Sequence, residues 1–287
     1  MKKTLFTLTG LFVAGLIYSQ TASTAMSSVA GIKLAKGQKI TVESSTSIEA
    51  SLTMGMEFNS NSTSENTLEV KNSDGKTSTV GNTLVKLKVD INGMGESMKY
   101  DSEDKENNNA DIAKVFEDRM NKTTEVNIDN STGTAVTIGP EKPKKKNEED
   151  ANPMEGMMKM FANNSDDAVV SGAFEIIPQG KKTGDSWADT VKMKDMKMTR
   201  IYTLKSVSEN EAIIELNIVS SALNKMEFQG MPFEITTNTK TVGAIYVDPN
   251  NGLVKKRTST SDITGNIPFM GQDMPISAKT TSTSTYK

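Results

Sequence analysis

Apolar and polar positions alternate most clearly from Leu84 to Ile91, where Lys86, Lys88 and Asp90 separate Val85, Leu87, Val89 and Ile91. A period of two predicts a strand with one buried face and one wet face. Asn92-Gly93 ends it and sets a hairpin to a strand over Glu96 to Asp101. Further strands are predicted over Ile40 to Thr53, Met54 to Asn59 and Thr67 to Lys71, the last closed by the turn residues Asn72-Ser73-Asp74-Gly75. Ile112, Val115, Phe116 and Met120 fall on one face of a helix over about Ala110 to Met120. Glu125 to Ile128 and Thr134 to Ile138 flank a turn at Asp129 to Gly133.

Beyond Trp187 the strand pattern resumes over Met196 to Leu204, Ala212 to Ser220, Phe233 to Val247, Gly252 to Ser259 and Ile276 to Tyr286. Asp248-Pro249-Asn250-Asn251-Gly252 is a turn, and Ala222 to Met231 reads as a broken connection. The periodicity of Asp166 to Ile177 leaves helix and strand both open. The expected fold is mainly β: curved antiparallel sheets in two tandem lobes with a few short helices, one continuous sheet or a barrel being the alternative. Residues 31–138 form the first lobe, residues 139–177 a linker, and residues 178–287 the second. Both lobes open on a Gly turn, Lys36-Gly37-Gln38 and Lys182-Thr183-Gly184-Asp185. Both later carry a strand, an Asp, a Gly four residues on and a second strand, at Asp129 to Gly133 and Asp248 to Gly252. These are the marks of a duplication, or of hairpin turns favouring the same residues.

Composition changes the picture at the start of the chain. Lys2 and Lys3 precede an apolar stretch from Leu5 to Ile17, too short to span a bilayer, so residues 1–20 read as a signal peptide and residues 21–30 as a loose leader. No other stretch is apolar enough to cross as a helix, and no cysteine is present to take a lipid anchor, so a periplasmic or secreted protein is expected. A net charge of −3 provides no basic field for nucleic acid.

The chain contains neither Cys nor His, which removes disulfides, His or Cys zinc sites and His-dependent nucleophilic systems. A Ser-Lys pair or two carboxylates remain as catalytic options. One Trp and five Tyr make a poor sugar-stacking platform, and no carboxylate pair stands out. No enzyme activity, metal or cofactor is expected. Asp248-x-Asn250-x-Gly252 has too few acidic groups for calcium. Met54, Met56, Met193, Met196 and Met198 offer soft sulfur, but without the His or Cys that copper sites commonly recruit.

The linker pairs Lys144-Lys145-Lys146 with Glu148-Glu149-Asp150, a solvated spacer, and then predicts a short helix capped by Asn152. Met154, Met157, Met158 and Phe161 line one face of that helix. Flexible, polarisable thioethers suit a cover over a hydrophobic ligand, although a stripe at helical spacing more often packs on a sheet. Gly184, Asp185, Ser186 and Trp187 form a structural motif, a tight turn followed by a large apolar side chain at the start of a sheet.

Four stretches together resemble an uncharacterised family of secreted Bacteroidota proteins: Leu34-x-Lys36-Gly37-Gln38, Tyr100-Asp101-Ser102, Asp129 to Val136, and Pro178 through Gly184-Asp185-Ser186-Trp187. The resemblance spans most of the mature chain. It implies an envelope location and no established reaction, cofactor or site. Two functions fit these readings. The first is a binder or carrier of a hydrophobic small molecule, with a dry cavity lined by Met and Leu. The second is a structural or protein-interaction module of the envelope, with an exposed edge strand or apolar patch.

Overall fold

The computed structural model describes residues 31–138 and 166–287, apart from residues 53–55, 94, 105, 107, 110–112, 114, 115, 194, 229, 230, 270 and 271. Its strands are β1 (Lys39–Leu52), β2 (Met56–Ser73), β3 (Thr77–Gly93), β4 (Glu96–Asp101), β5 (Thr123–Asp129), β6 (Ala135–Thr137), β7 (Ser186–Met193), β8 (Met196–Val207), β9 (Ala212–Phe228), β10 (Met231–Val247), β11 (Val254–Phe269) and β12 (Gln272–Tyr286). Among the described residues, a helix, α1 (Asp166–Gly172), lies between β6 and β7. The fold is mainly β, as the alternation predicts.

All twelve strands join one antiparallel sheet in the order β6-β5-β3-β2-β1-β12-β11-β10-β9-β8-β7, with β4 on the outer edge of β3. The strands of both halves therefore meet in a single sheet, through the β1–β12 pair running from Val42↔Tyr286 to Leu52↔Ile276. The sheet does not close on itself among the described residues, and β6 and β7 are its ends.

Several local expectations change. The stretch read as a broken connection is a long hairpin, because β9 runs to Phe228 and pairs with β10 from Met231 onwards. The alternation in β3 is interrupted: Leu84 pairs with Asn66 and Lys86 with Glu65, leaving Val85 as the extra residue of a bulge. Leu84 thereby lies on the same face as Leu87, Val89 and Ile91. Ala113, Phe116 and Glu117 are helical, but Met120 has left the helix and bridges to Leu84.

The two halves repeat one arrangement. Gly37 donates to Val70 O and Val70 to Gln38 O; Gly184 donates to Leu204 O and Leu204 to Asp185 O. The β2–β3 register shifts between Val70 and Asn72, and the β8–β9 register between Leu204 and Ser206. Val70 pairs with Val80 and Val80 with Val126, as Leu204 pairs with Ile214 and Ile214 with Ile245. Asp129 and Asp248 each receive the amide of the Gly four residues on, Gly133 (φ 72°) and Gly252 (φ 76°). A side chain strains in that left-handed conformation.

Apolar residues collect at both ends of the strands on one face, here called the inner face. At one end Val70, Val80, Val126 and Ile128 pack under Ile32, Val170 and Phe174, and Leu204, Ile214, Ile245 and Val247 pack with Ile177. Full burial of each such side chain is worth about 1.5–3 kcal/mol. The segment after α1 crosses this end of the sheet, with Phe174 bridging Leu253, Glu175 donating to Gly252 O and Val254 to Ala173 O. At the other end Phe58, Val89, Ile91, Met98 and Tyr100 surround Phe116, whose ring centroid lies 5.4 Å from that of Tyr100.

Candidate functional site

Between those apolar ends the inner face changes character. On β1, Ile40 and Val42 give way to Ser44 and Thr46 before Ile48 and Ala50. On β2, Ser64, Ser62 and Ser60 lie between Asn66 and Phe58. The register sets Ser44 beside Ser64 and Ser284, and Thr46 beside Ser62 and Ser282. It continues through Ser259 and Ser261 on β11, beside Ser282 and Thr280, to Thr241 on β10, beside Ser261. A belt of hydroxyls thus crosses five neighbouring strands. Some hydroxyls pair, as Ser44 with Ser284 at 2.8 Å and Thr241 with Ser261 at 2.7 Å. Each hydroxyl can donate one hydrogen bond and accept others.

A pocket of about 100 Å³ opens on this belt in the first half of the sheet. Its lining is polar at Ser44, Thr46, Ser60, Ser62 and Ser64 and apolar at Phe58, Leu87, Val89, Ile91 and Phe116, with Ser62 paired to Val89 and Ser60 to Ile91. Arg119 and Val169 also line it. A polar relay fixes that side: Asn66 donates to Asn82 (3.0 Å), Asn82 donates to Asp166 (2.8 Å), and Arg119 lies 3.9 Å from Asp166. The relay ties the first turn of α1 to the sheet.

The chain has three arginines, and all three meet a carboxylate at the inner face. Arg200 Nε donates to Asp189 at 2.8 Å, and Arg257 Nη2 donates to Glu175 at 3.1 Å. Burial raises the Glu175 carboxyl above its ordinary value, partly offset by Arg257. Burial also pushes Tyr202 up to about 12 and raises Tyr286. Each carboxylate is thus held by its own cation.

The predicted turn motif stands at the start of β7. Gly184 has φ 95°, Asp185 accepts the Lys182 amide at 2.8 Å, and Ser186 shares a hydrogen bond with Thr203 at 2.9 Å. Trp187 is half-buried and stacks on Tyr202, with centroids 5.4 Å apart and planes 7° apart. Met196 and Met198 share the inner face of β8, pairing with Ala222 and Ser220. Met154, Met157, Met158 and Phe161 lie outside the described residues. The sequence reading missed the hydroxyl belt, though Ser60-x-Ser62-x-Ser64 and Thr280-x-Ser282-x-Ser284 signal it at strand spacing.

No curated protein matches the chain. Among solved structures it is similar to lipovitellin, in a structure of its lipid–protein interactions, at 10% identity and a TM-score of 0.49, covering 89% of this chain and 25% of that one. The chain thus spans about a quarter of the lipovitellin chain. It is also similar to OccK5 (OpdH) of Pseudomonas aeruginosa, at 8% identity and a TM-score of 0.25 over 87% of this chain and 98% of that one. An outer membrane channel of Pseudomonas putida F1 matches at 8% identity and a TM-score of 0.26, over 89% and 97% of the two chains. The model of the family of unknown function DUF6263 matches residues 75–254, more than half the sequence, and the chain belongs to that family.

Proposed function

We propose that this chain is a non-enzymatic binder of a hydrophobic small molecule in the cell envelope, held on the inner face of the sheet. The carrying observation is the pocket, where apolar Phe58, Val89 and Ile91 lie beside the hydroxyls of Ser44 and Ser62 on one face of the sheet. That lining suits a molecule with one greasy and one polar part. The basic and then apolar start of the chain supports export. The absence of His and Cys, and the pairing of Glu175 and Asp189 with arginines, support a binding role over catalysis.

Native mass spectrometry of protein purified from its own envelope, with uptake of a fluorescent lipid probe, tests the reading. A copurifying small mass is expected, and probe uptake should fall in Ser62→Phe while the unfolding midpoint stays unchanged. Protein that carries no small mass and takes up no probe defeats it.

A second reading, a protein-interaction module, is favoured by the sheet end at β7 and by the outer face beside it. Ile201, Val219 and Val242 are 44%, 58% and 57% exposed there, on neighbouring strands. Specific crosslinks from this patch to one envelope protein would support it; their absence would count against it.

A further inference from the structure

The hydroxyl belt narrows the kind of molecule the pocket takes, and this step rests on the binding role proposed above. We infer that the ligand is an amphiphile whose polar head carries no net charge and binds through hydroxyl, ester or amide groups.

Three observations converge. First, the polar lining is mostly hydroxyl: Ser44, Thr46, Ser60, Ser62 and Ser64 line the pocket, together with Asn66 and Arg119. A hydroxyl matches a neutral donor or acceptor and provides no countercharge for an ion. Second, the arginines that reach the inner face are already matched. Arg119 lies 3.9 Å from Asp166, Arg200 donates to Asp189 and Arg257 to Glu175. An anionic head that took Arg119, the arginine lining the pocket, would leave Asp166, whose side chain is 23% exposed, without its cation, and an uncompensated part-buried charge is costly. A cationic head competing for Asp166 would strand Arg119 in the same way. Third, hydroxyl and apolar side chains sit side by side in one small pocket, as Ser62 beside Val89 and Ser60 beside Ile91, so head and tail are held together. A pure hydrocarbon would leave Ser60 (9% exposed) facing a surface that offers no hydrogen bond.

The test displaces the fluorescent lipid probe with three compounds sharing a twelve-carbon chain, roughly constant in apolar burial. They are glycerol monolaurate, laurate and dodecyltrimethylammonium, compared at low and high salt. Glycerol monolaurate should compete at least about tenfold better than either ion, a difference of about 1.4 kcal/mol, with little salt dependence. The double variant Ser60→Ala, Ser62→Ala should narrow that preference several-fold while laurate binding stays unchanged. Preference for laurate or for the ammonium, or an unchanged preference in the double variant, overturns the neutral-head assignment and leaves the binding role standing. Failure of the probe itself to bind overturns the binding role, and the head-group assignment with it.

Discussion

Replacing Arg257 by Met should cost far more than its position on a hydroxyl-rich strand suggests. Arg257 Nη2 is 3.1 Å from Glu175 Oε2, and the two side chains are 26% and 13% exposed. Removing the guanidinium leaves the carboxylate with its burial and without its cation. Breaking a buried pair from one side costs about 3–5 kcal/mol. Because Arg257 keeps some contact with solvent, the lower end applies, about 3 kcal/mol near pH 7.

The sign of the pH dependence follows from the raised Glu175 carboxyl. Below its unperturbed value of 4.5 the group is neutral in folded and unfolded chains alike, and its contribution to stability is fully present. That contribution is lost as pH rises through the folded value. In Arg257→Met the loss should therefore be largest near neutral pH and shrink on acidification. Urea unfolding of wild type, Arg257→Met, Glu175→Gln and the double variant, at about pH 7 and about pH 4, completes a double-mutant cycle. The double variant should recover to within about 1 kcal/mol of wild type, since replacing both partners of a buried pair is often close to neutral. A loss below about 0.5 kcal/mol in Arg257→Met, or an equal loss at both pH values, would refute the reasoning.

Two further outcomes are expected. Gly243→Ala should destabilise by about 2–3 kcal/mol in the same unfolding assay, because its Cβ would sit 2.4 Å from Thr258 O, a backbone atom of the neighbouring strand; an unaffected midpoint would mean the β10–β11 pair is less tight than described. Asn130→Ala should be neutral or stabilising by about 1 kcal/mol, because the side-chain amide is 2% exposed and both Oδ1 and Nδ2 lack a hydrogen-bond partner; a clear loss of stability would show that the amide is satisfied by an ordered water.

Much of the fold was legible because it is local. Leu87, Val89 and Ile91 alternate with charge, and Asp129 to Gly133 and Asp248 to Gly252 announce their turns. The likeness between those turns was visible too, whereas the matching hydrogen bonds of Val70 and Leu204 had no sequence mark. Other features had no local mark. The pairing of Val42 with Tyr286 joins distant residues, and no window of sequence reports it. The bulge at Val85 changes facing without changing composition. For Asp166 to Ile177, α1 and the extended stretch after it share one short run, so neither period could dominate.

The site was less legible for a physical reason. Ser and Thr at strand spacing match the solvent side of a half-buried strand as well as they match a polar pocket lining. On β12, Thr281 and Thr283 point one way while Thr280, Ser282 and Ser284 point the other, so neither side is greasy. A strand polar on both sides has no core to announce, and a pocket built on such strands is invisible to hydrophobic patterning.

The place of β12 has consequences for how the molecule assembles. It follows β11 in the chain yet is sandwiched between β11 and β1, more than 200 residues away in sequence, with Ser44 and Ser284 joined by a 2.8 Å hydrogen bond. Two meanders can zip up separately, each from neighbouring hairpins, but they become one body only when this last strand is inserted. Until then β1 presents an unprotected flank to every other chain in solution. Closure across so long a loop makes that insertion the slow event of folding, and a chaperone acting on this protein would have β1 to guard.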